Sequence, residues 1–157
     1  MDFYHDLAPF YDQMISFSER IDQEIKIFQA ILDKYPAKTA LDAGCGSGFH
    51  SILLAKLGLK VTGIDISDDM LNLAHDNARK YQTAPLFVRS DFLTMSSTFA
   101  ANFDAIFCLG NSFVHLLTPG EQLRALINFK DRLTDKGYLC LQIINYDKFL
   151  YEKRQEL

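Results

Sequence analysis

Apolar residues in this chain recur in two rhythms that take turns. Ile21, Ile25, Phe28 and Leu32 repeat at helical spacing over 19–34, with Ser18 placed to cap the run and Pro36 to stop it. Short apolar runs then alternate with helical ones. Strands are predicted over 39–43, 60–64, 86–89, 103–109 and 138–144. Helices are predicted over 49–57, with Gly58 just past its end, and from the cap Ser67 through Tyr81, with Met70, Leu73, Ala74 and Ala78 facing inward. Thr118-Pro119-Gly120-Glu121 is a capping box with proline at the first helical position, and it opens a helix carrying Leu123, Leu126, Ile127 and Leu133. The run 103–109 is continuously apolar, as befits a strand covered on both faces. Regular alternation of strand and helix predicts an α/β fold: a doubly wound, mainly parallel sheet.

Length adds one constraint. At 157 residues the chain makes one domain. Within it, 1–38 reads as an aromatic-rich N-terminal helical segment (Phe3, Tyr4, Phe10, Tyr11, Phe17) and 39–157 as the core. A net charge of −4 argues against a nucleic-acid partner, which needs a basic surface. No apolar run reaches transmembrane length, and Asp2, His5 and Asp6 break any signal-peptide pattern. Cys45, Cys108 and Cys140 are odd in number, far apart and without a C-x-x-C, which reads as reduced thiols in a cytoplasmic protein. The four histidines show no metal-ligand spacing, so no metal is expected.

Chemistry concentrates after the first strand, in Leu41-Asp42-Ala43-Gly44-Cys45-Gly46-Ser47-Gly48. Glycine has no Cβ and reaches positive φ cheaply, so such a loop can press its backbone against a ligand. Asp65 follows Gly48 by 17 residues, at the end of the second apolar run. A glycine loop with an acid at the next strand end is how an α/β sheet holds an adenosine-type ligand, the carboxylate accepting from ribose hydroxyls. The third glycine comes one residue too early for the dinucleotide G-x-G-x-x-G, which counts against a nicotinamide-dependent oxidoreductase. No G-x-x-x-x-G-K-[ST] occurs either.

The run resembles motif I of the class I S-adenosylmethionine-dependent methyltransferases, an acid, any residue, then G-x-G-x-G. The resemblance implies a Rossmann-like core and S-adenosylmethionine as methyl donor. It implies that Gly44, Cys45, Gly46 and Gly48 cradle the donor, with Asp42 ordering the loop or holding the donor's ammonium. It further implies that Asp65 takes the ribose hydroxyls, that Ile66 packs on adenine, and that Asp91 and Phe92 of Ser90-Asp91-Phe92 meet the adenine ring. Cys108-Leu109-Gly110-Asn111-Ser112-Phe113-Val114-His115-Leu116 is similar to the matching segment of glycine and sarcosine N-methyltransferases. On that likeness Leu109 and Gly110 lie under the donor, while Asn111 and His115 face the acceptor. The pattern Tyr4-(x)6-Tyr11-Asp12 resembles a lid before motif I, with Tyr11 or Tyr4 over the donor's methyl end.

Two departures matter. The glycine-type enzymes carry R-N-Y-D where this chain reads Ile144-Asn145-Tyr146-Asp147, and isoleucine offers no donor to a carboxylate. A neutral or more apolar small-molecule acceptor is therefore expected, with N- and O-methylation both open. The family also usually adds two strands after the fifth, whereas this chain stops 13 residues past Ile144. That predicts a fifth-strand edge left bare in a fragment of a longer protein, the favoured reading, or else covered by a second chain through self-association or by the C-terminal tail. A donor-binding module without catalysis is the alternative function.

Overall fold

The computed structural model describes residues 11–12, 16–95 and 102–155. Expectations for Phe3, Tyr4 and Phe10 lie outside the described residues. Five strands form one parallel sheet in the order β3-β2-β1-β4-β5: β1 Thr39–Ala43, β2 Lys60–Asp65, β3 Leu86–Arg89, β4 Phe103–Cys108 and β5 Leu133–Leu141. All four pairings are parallel. The helices are α1 Phe17–Lys34, α2 Phe49–Lys56, α3 Asp68–Lys80, α4 Pro119–Asp131 and α5 Tyr146–Gln155, with a short 3-10 helix at Ser112–His115.

Alternate strand residues feed two cores, as a sheet covered on both faces requires. Ala40 and Phe107 point into a cluster with Phe17, Phe28, Phe49, Ile52, Leu53 and Phe87. Leu41, Ile64, Ile106 and Cys108 point the other way, to Met95, Phe113, Ala125 and Phe129. Asp104 pins the lower edge of β4 to β1, its Oδ2 accepting from the Lys38 and Thr39 amides at 2.9 and 3.0 Å.

Caps behave as their chemistry dictates at two helices. Ser67 Oγ accepts from Met70 N ahead of α3, and Thr118 and Glu121 form the reciprocal capping box ahead of α4. Elsewhere the structure corrects the sequence reading. α1 begins two residues early, at Phe17, because that ring is needed in the core against Phe49 at 5.0 Å; its N-cap is Ser16 at φ 51, not Ser18, and makes no side-chain cap bond. β4 stops at Cys108 rather than Leu109. Leu123 and Ile127 of α4 are exposed, at 60% and 49%, while Ala125, Asn128 and Phe129 face the core. Leu133 belongs to β5, which therefore runs over Leu133–Leu141 instead of 138–144. The register slips between Phe103↔Leu133 and Ala105↔Tyr138. Gly137 sits in that irregularity, where a Cβ would lie 3.0 Å from Phe103 O. β5 is a sheet edge, as expected.

Candidate functional site

Turns leaving the carboxyl ends of four strands enclose a cavity of about 380 Å³, of a size to take one small-molecule ligand. Open parallel sheets bind ligands at this end, where the strand order reverses. β1 contributes Gly44 and Gly46, and β2 contributes Asp65 and Ile66. Ser90, Asp91, Phe92 and Leu93 come from the turn after β3, and Gly110, Ser112, His115 and Leu116 from the turn after β4. Tyr11 and Met70 complete the lining.

The glycine loop owes its shape to backbone conformations that other residues resist. Gly44, Gly46 and Gly48 stand at φ 77, 53 and 83. The amides of Gly44 and Cys45 both donate to Ile64 O at 2.9 Å, which folds the loop over the end of β2. A Cβ on Gly44 would strike Ser112 Cβ and Oγ at 2.7 Å, so Gly44 admits the turn after β4. A Cβ on Gly46 would meet Met70 and the Tyr11 hydroxyl at 3.5 and 3.6 Å, on the cavity side. Gly48 has a different task. Its Cβ would lie 3.0 Å from Ala74 and Phe87, so it lets α2 pack on α3 and β3, away from the cavity lining.

Asp65 is held from both sides. Its Oδ2 accepts from Gly46 N at 2.9 Å and its Oδ1 from Ser67 N at 3.0 Å. A carboxylate offers about four acceptor sites, so one remains on each oxygen after these bonds. The arrangement presents two fixed acceptors at the cavity wall, which suits a pair of adjacent hydroxyls. Ile66 beside it is 60% exposed, an apolar platform on the cavity lip. Asp91 closes its own turn, Oδ1 accepting from the amides of Leu93 and Thr94 at 2.7 Å each. Phe92 stands edge-on to Phe129 at 5.6 Å, and Asn128 of α4 donates to Phe92 O at 2.8 Å.

Several expected site residues lie off the lining. Asp42 is buried (1% exposed) and accepts from Ser51 Oγ of α2 at 2.6 Å; burial pushes its carboxyl above the ordinary range. Cys45 is buried too, and desolvation raises its thiol well above the usual value. Leu109 is buried beneath the turn. Asn111, at φ 69, is engaged as a brace: Oδ1 accepts from Ile144 N at 3.1 Å and Nδ2 donates to the Tyr146 hydroxyl at 2.5 Å. With the Gly110 amide donating to Gln142 Oε1 at 3.1 Å, this ties the turn after β4 to the chain leaving β5.

A family model described as a methyltransferase domain matches residues 40–137, the span holding every strand end that lines the cavity. The chain belongs to the class I S-adenosylmethionine-dependent methyltransferases. The chain is 37% identical over 142 residues to a glycine/sarcosine N-methyltransferase of Aphanothece halophytica, covering 90% of the chain and 54% of that relative. It spans about half the length of the curated relatives it matches, as that figure shows. Its fold is shared with an S-adenosylmethionine-dependent methyltransferase from Clostridium acetobutylicum at a TM-score of 0.74 and 21% identity, over 92% of this chain and 59% of that one. The amino pentose methyltransferase CalS10 of Micromonospora echinaspora, solved with S-adenosylmethionine bound, aligns at a TM-score of 0.65 and 25% identity, over 82% and 51% of the two chains.

Sequence reasoning missed part of the cavity's lining. Met70 reads as a core residue from periodicity alone. Side chains lean toward a helix's N-terminus, however, so a first-turn residue reaches over the end of the preceding strand. Ser112 and Leu116 left no comparable signal, because the turn after β4 folds back over Gly44 through long-range packing. Among the described residues no cluster of His, Cys, Asp or Glu could hold a metal, and no helix is long and apolar enough to cross a membrane.

Proposed function

We propose that this chain binds S-adenosylmethionine in the cavity over β1, β2 and β3 and transfers its methyl group to a nucleophile on a small molecule. The observation that carries the reading is the Asp65 carboxylate, clamped between the Gly46 and Ser67 amides with acceptor sites left for a ribose diol. The residues fit the donor chemically. Gly46 leaves room for a close backbone approach, Ile66 and Phe92 offer apolar faces to a purine, and Asp91 lies beside them.

When bound, the donor supplies an already activated methyl group, so the hard chemistry is not the protein's. What remains is alignment, which supplies on the order of 7–11 kcal/mol when the reacting atoms are held in line. Tyr11 and the Gly46 loop close one side of the cavity. His115, exposed on the cavity lining, would take the proton of a hydroxyl acceptor; an amine acceptor needs only to arrive unprotonated. Ile144 is 54% exposed and its side chain offers nothing to a carboxylate, which favours a neutral or apolar acceptor over glycine. A cytoplasmic setting fits the three free thiols.

Calorimetric titration with S-adenosylhomocysteine, with NADH as control, tests the reading. Saturable binding of the first alone is expected, and binding of NADH instead would replace the reading with a nicotinamide-dependent one. Turnover on a panel of amines and phenols then separates a transferase from a donor-binding module.

A further inference from the structure

α4 buries a narrow face, Ala125, Asn128 and Phe129, of which Asn128 alone is polar. At 7% exposure its carboxamide needs partners for its hydrogens, or burial works against the fold. One partner lies 36 residues back, in the turn after β3: Asn128 Nδ2 donates to Phe92 O at 2.8 Å. Phe129, the next residue, meets the Phe92 ring edge-on at 5.6 Å. α4 thus grips Phe92 twice, by its carbonyl and by its ring.

What α4 grips is a wall of the cavity. Phe92 lines it, together with Asp91 and Leu93 of the same turn, whereas Asn128 and Phe129 lie outside the lining. The tip of the Phe92 ring reaches the glycine loop, since a Cβ on Gly44 would lie 3.2 Å from Phe92 Cζ. Asp91 closes the turn with one oxygen. Its Oδ1 accepts from Leu93 N and Thr94 N at 2.7 Å and from Thr94 Oγ1 at 3.0 Å, and Oδ2 takes no part in that closure. The turn therefore brings an apolar ring and a carboxylate oxygen to one wall, and its hold on α4 runs through Phe92.

We propose that Asn128 is a specificity-determining brace: by fixing the Phe92 carbonyl from α4 it holds the Phe92 ring and the Asp91 carboxylate in the arrangement that accepts a 6-amino purine and rejects a 6-oxo one. An amino group donates to a carboxylate oxygen, whereas an oxo group sets a second acceptor against it. That contrast is sharp only where the carboxylate is held still, because a loose one swings aside and admits the wrong base. The brace rests on the donor-site reading above. Asn128 acts through Phe92 and its turn, and is a positioning residue.

The test uses the whole chain and two readouts. The first is calorimetric titration with S-adenosylhomocysteine and with its deaminated counterpart S-inosylhomocysteine. The parent is expected to prefer the former by about tenfold or more, the scale of one hydrogen bond to a charged group. Asn128→Leu removes the donor and suits the apolar residues around it, Ala125 and Phe129 among them. Asn128→Asp keeps the shape and sets a carboxylate against the Phe92 carbonyl, so a fold lost in one variant is tested by the other. Either should cut the preference to within about threefold, by weakening S-adenosylhomocysteine. A residue that merely supports the fold would weaken both ligands alike and leave their ratio where it was. The second readout needs no ligand. The amides of Leu93, Thr94 and Met95 are bonded to Asp91 within the turn. Their hydrogen exchange should quicken by about tenfold or more in both variants. An unchanged ratio overturns the brace, as does a parent without preference. An altered ratio with unchanged exchange overturns the route through Phe92, and the brace with it. If neither ligand binds the parent while exchange responds, the donor-site reading falls and Asn128 is a support of the turn alone.

Discussion

Asp65 and the three loop glycines show how differently single residues serve one site. Removing the Asp65 carboxylate leaves the Gly46 and Ser67 amides without acceptors and strips the cavity of its paired oxygens. Asp65→Ala is expected to weaken S-adenosylhomocysteine binding by roughly 1.5–3 kcal/mol, the scale of hydrogen bonds to a charged group. Unchanged affinity in calorimetry would remove Asp65 from the donor site. The glycines should separate by readout. Gly46→Ala puts a methyl group on the cavity side with only ordinary contacts around it, so affinity should fall more than tenfold while stability drops by about 1–2 kcal/mol for the left-handed backbone. Gly48→Ala drives its methyl to 3.0 Å from Ala74 and Phe87, and should cost about 2–4 kcal/mol in denaturant melts. Chain spacing made all three glycines look alike. What distinguishes them is which neighbour lies across each Cα, and that is a property of tertiary packing: Ser112 for Gly44, Met70 and Tyr11 for Gly46, Ala74 and Phe87 for Gly48.

At the level of elements, the sequence was informative wherever local chemistry decides. The Thr118–Glu121 capping box and the Ser67 cap stand where their residues predict, and β1 and β3 match to the residue. Local chemistry failed at Ser16, where a tertiary demand for the Phe17 ring overrode the better capping sequence. It failed also on α4, whose leucines and isoleucine mark a stripe turned away from the sheet. Between elements, Asp104 offers a pH test. The Lys38 and Thr39 amides hold its carboxyl below the ordinary range. A depressed folded value means the stabilisation is present above the ordinary carboxylate range and is lost as pH falls through the lowered value. Asp104→Asn keeps an acceptor but does not titrate. Its melting temperature should therefore fall less steeply than the parent's on acidification below about pH 4. Parallel acid limbs for the two proteins would show that the β1–β4 pin carries no charge-dependent stability.

At the scale of the whole molecule, β5 is one of the two edges of the sheet, and exposed apolar residues lie at its end. Leu141 at the end of β5 and Ile143 and Ile144 just past it are 38%, 56% and 54% exposed, and Leu123 and Ile127 of α4 are exposed as well. Unpaired strand edges and contiguous apolar surface favour association. A sedimentation coefficient that rises with concentration is expected, and Leu123→Lys combined with Ile127→Glu should suppress the rise while changing stability by no more than about 0.5 kcal/mol. A concentration-independent monomer would remove self-association through this flank.

The order β3-β2-β1-β4-β5 has a consequence for how the chain is made. β1 lies at the centre of the sheet, yet its partner on one side is β4, and Thr39 waits for Asp104, 65 residues further along. At about 5–20 residues per second of synthesis, the central strand stays unpaired on that side for several seconds after it emerges. Leu41 and Ala43, destined for complete burial, are bare throughout that interval. The most protected strand of the finished molecule is thus the nascent chain's most vulnerable one, and the stretch for which a ribosome-bound chaperone has most reason to wait.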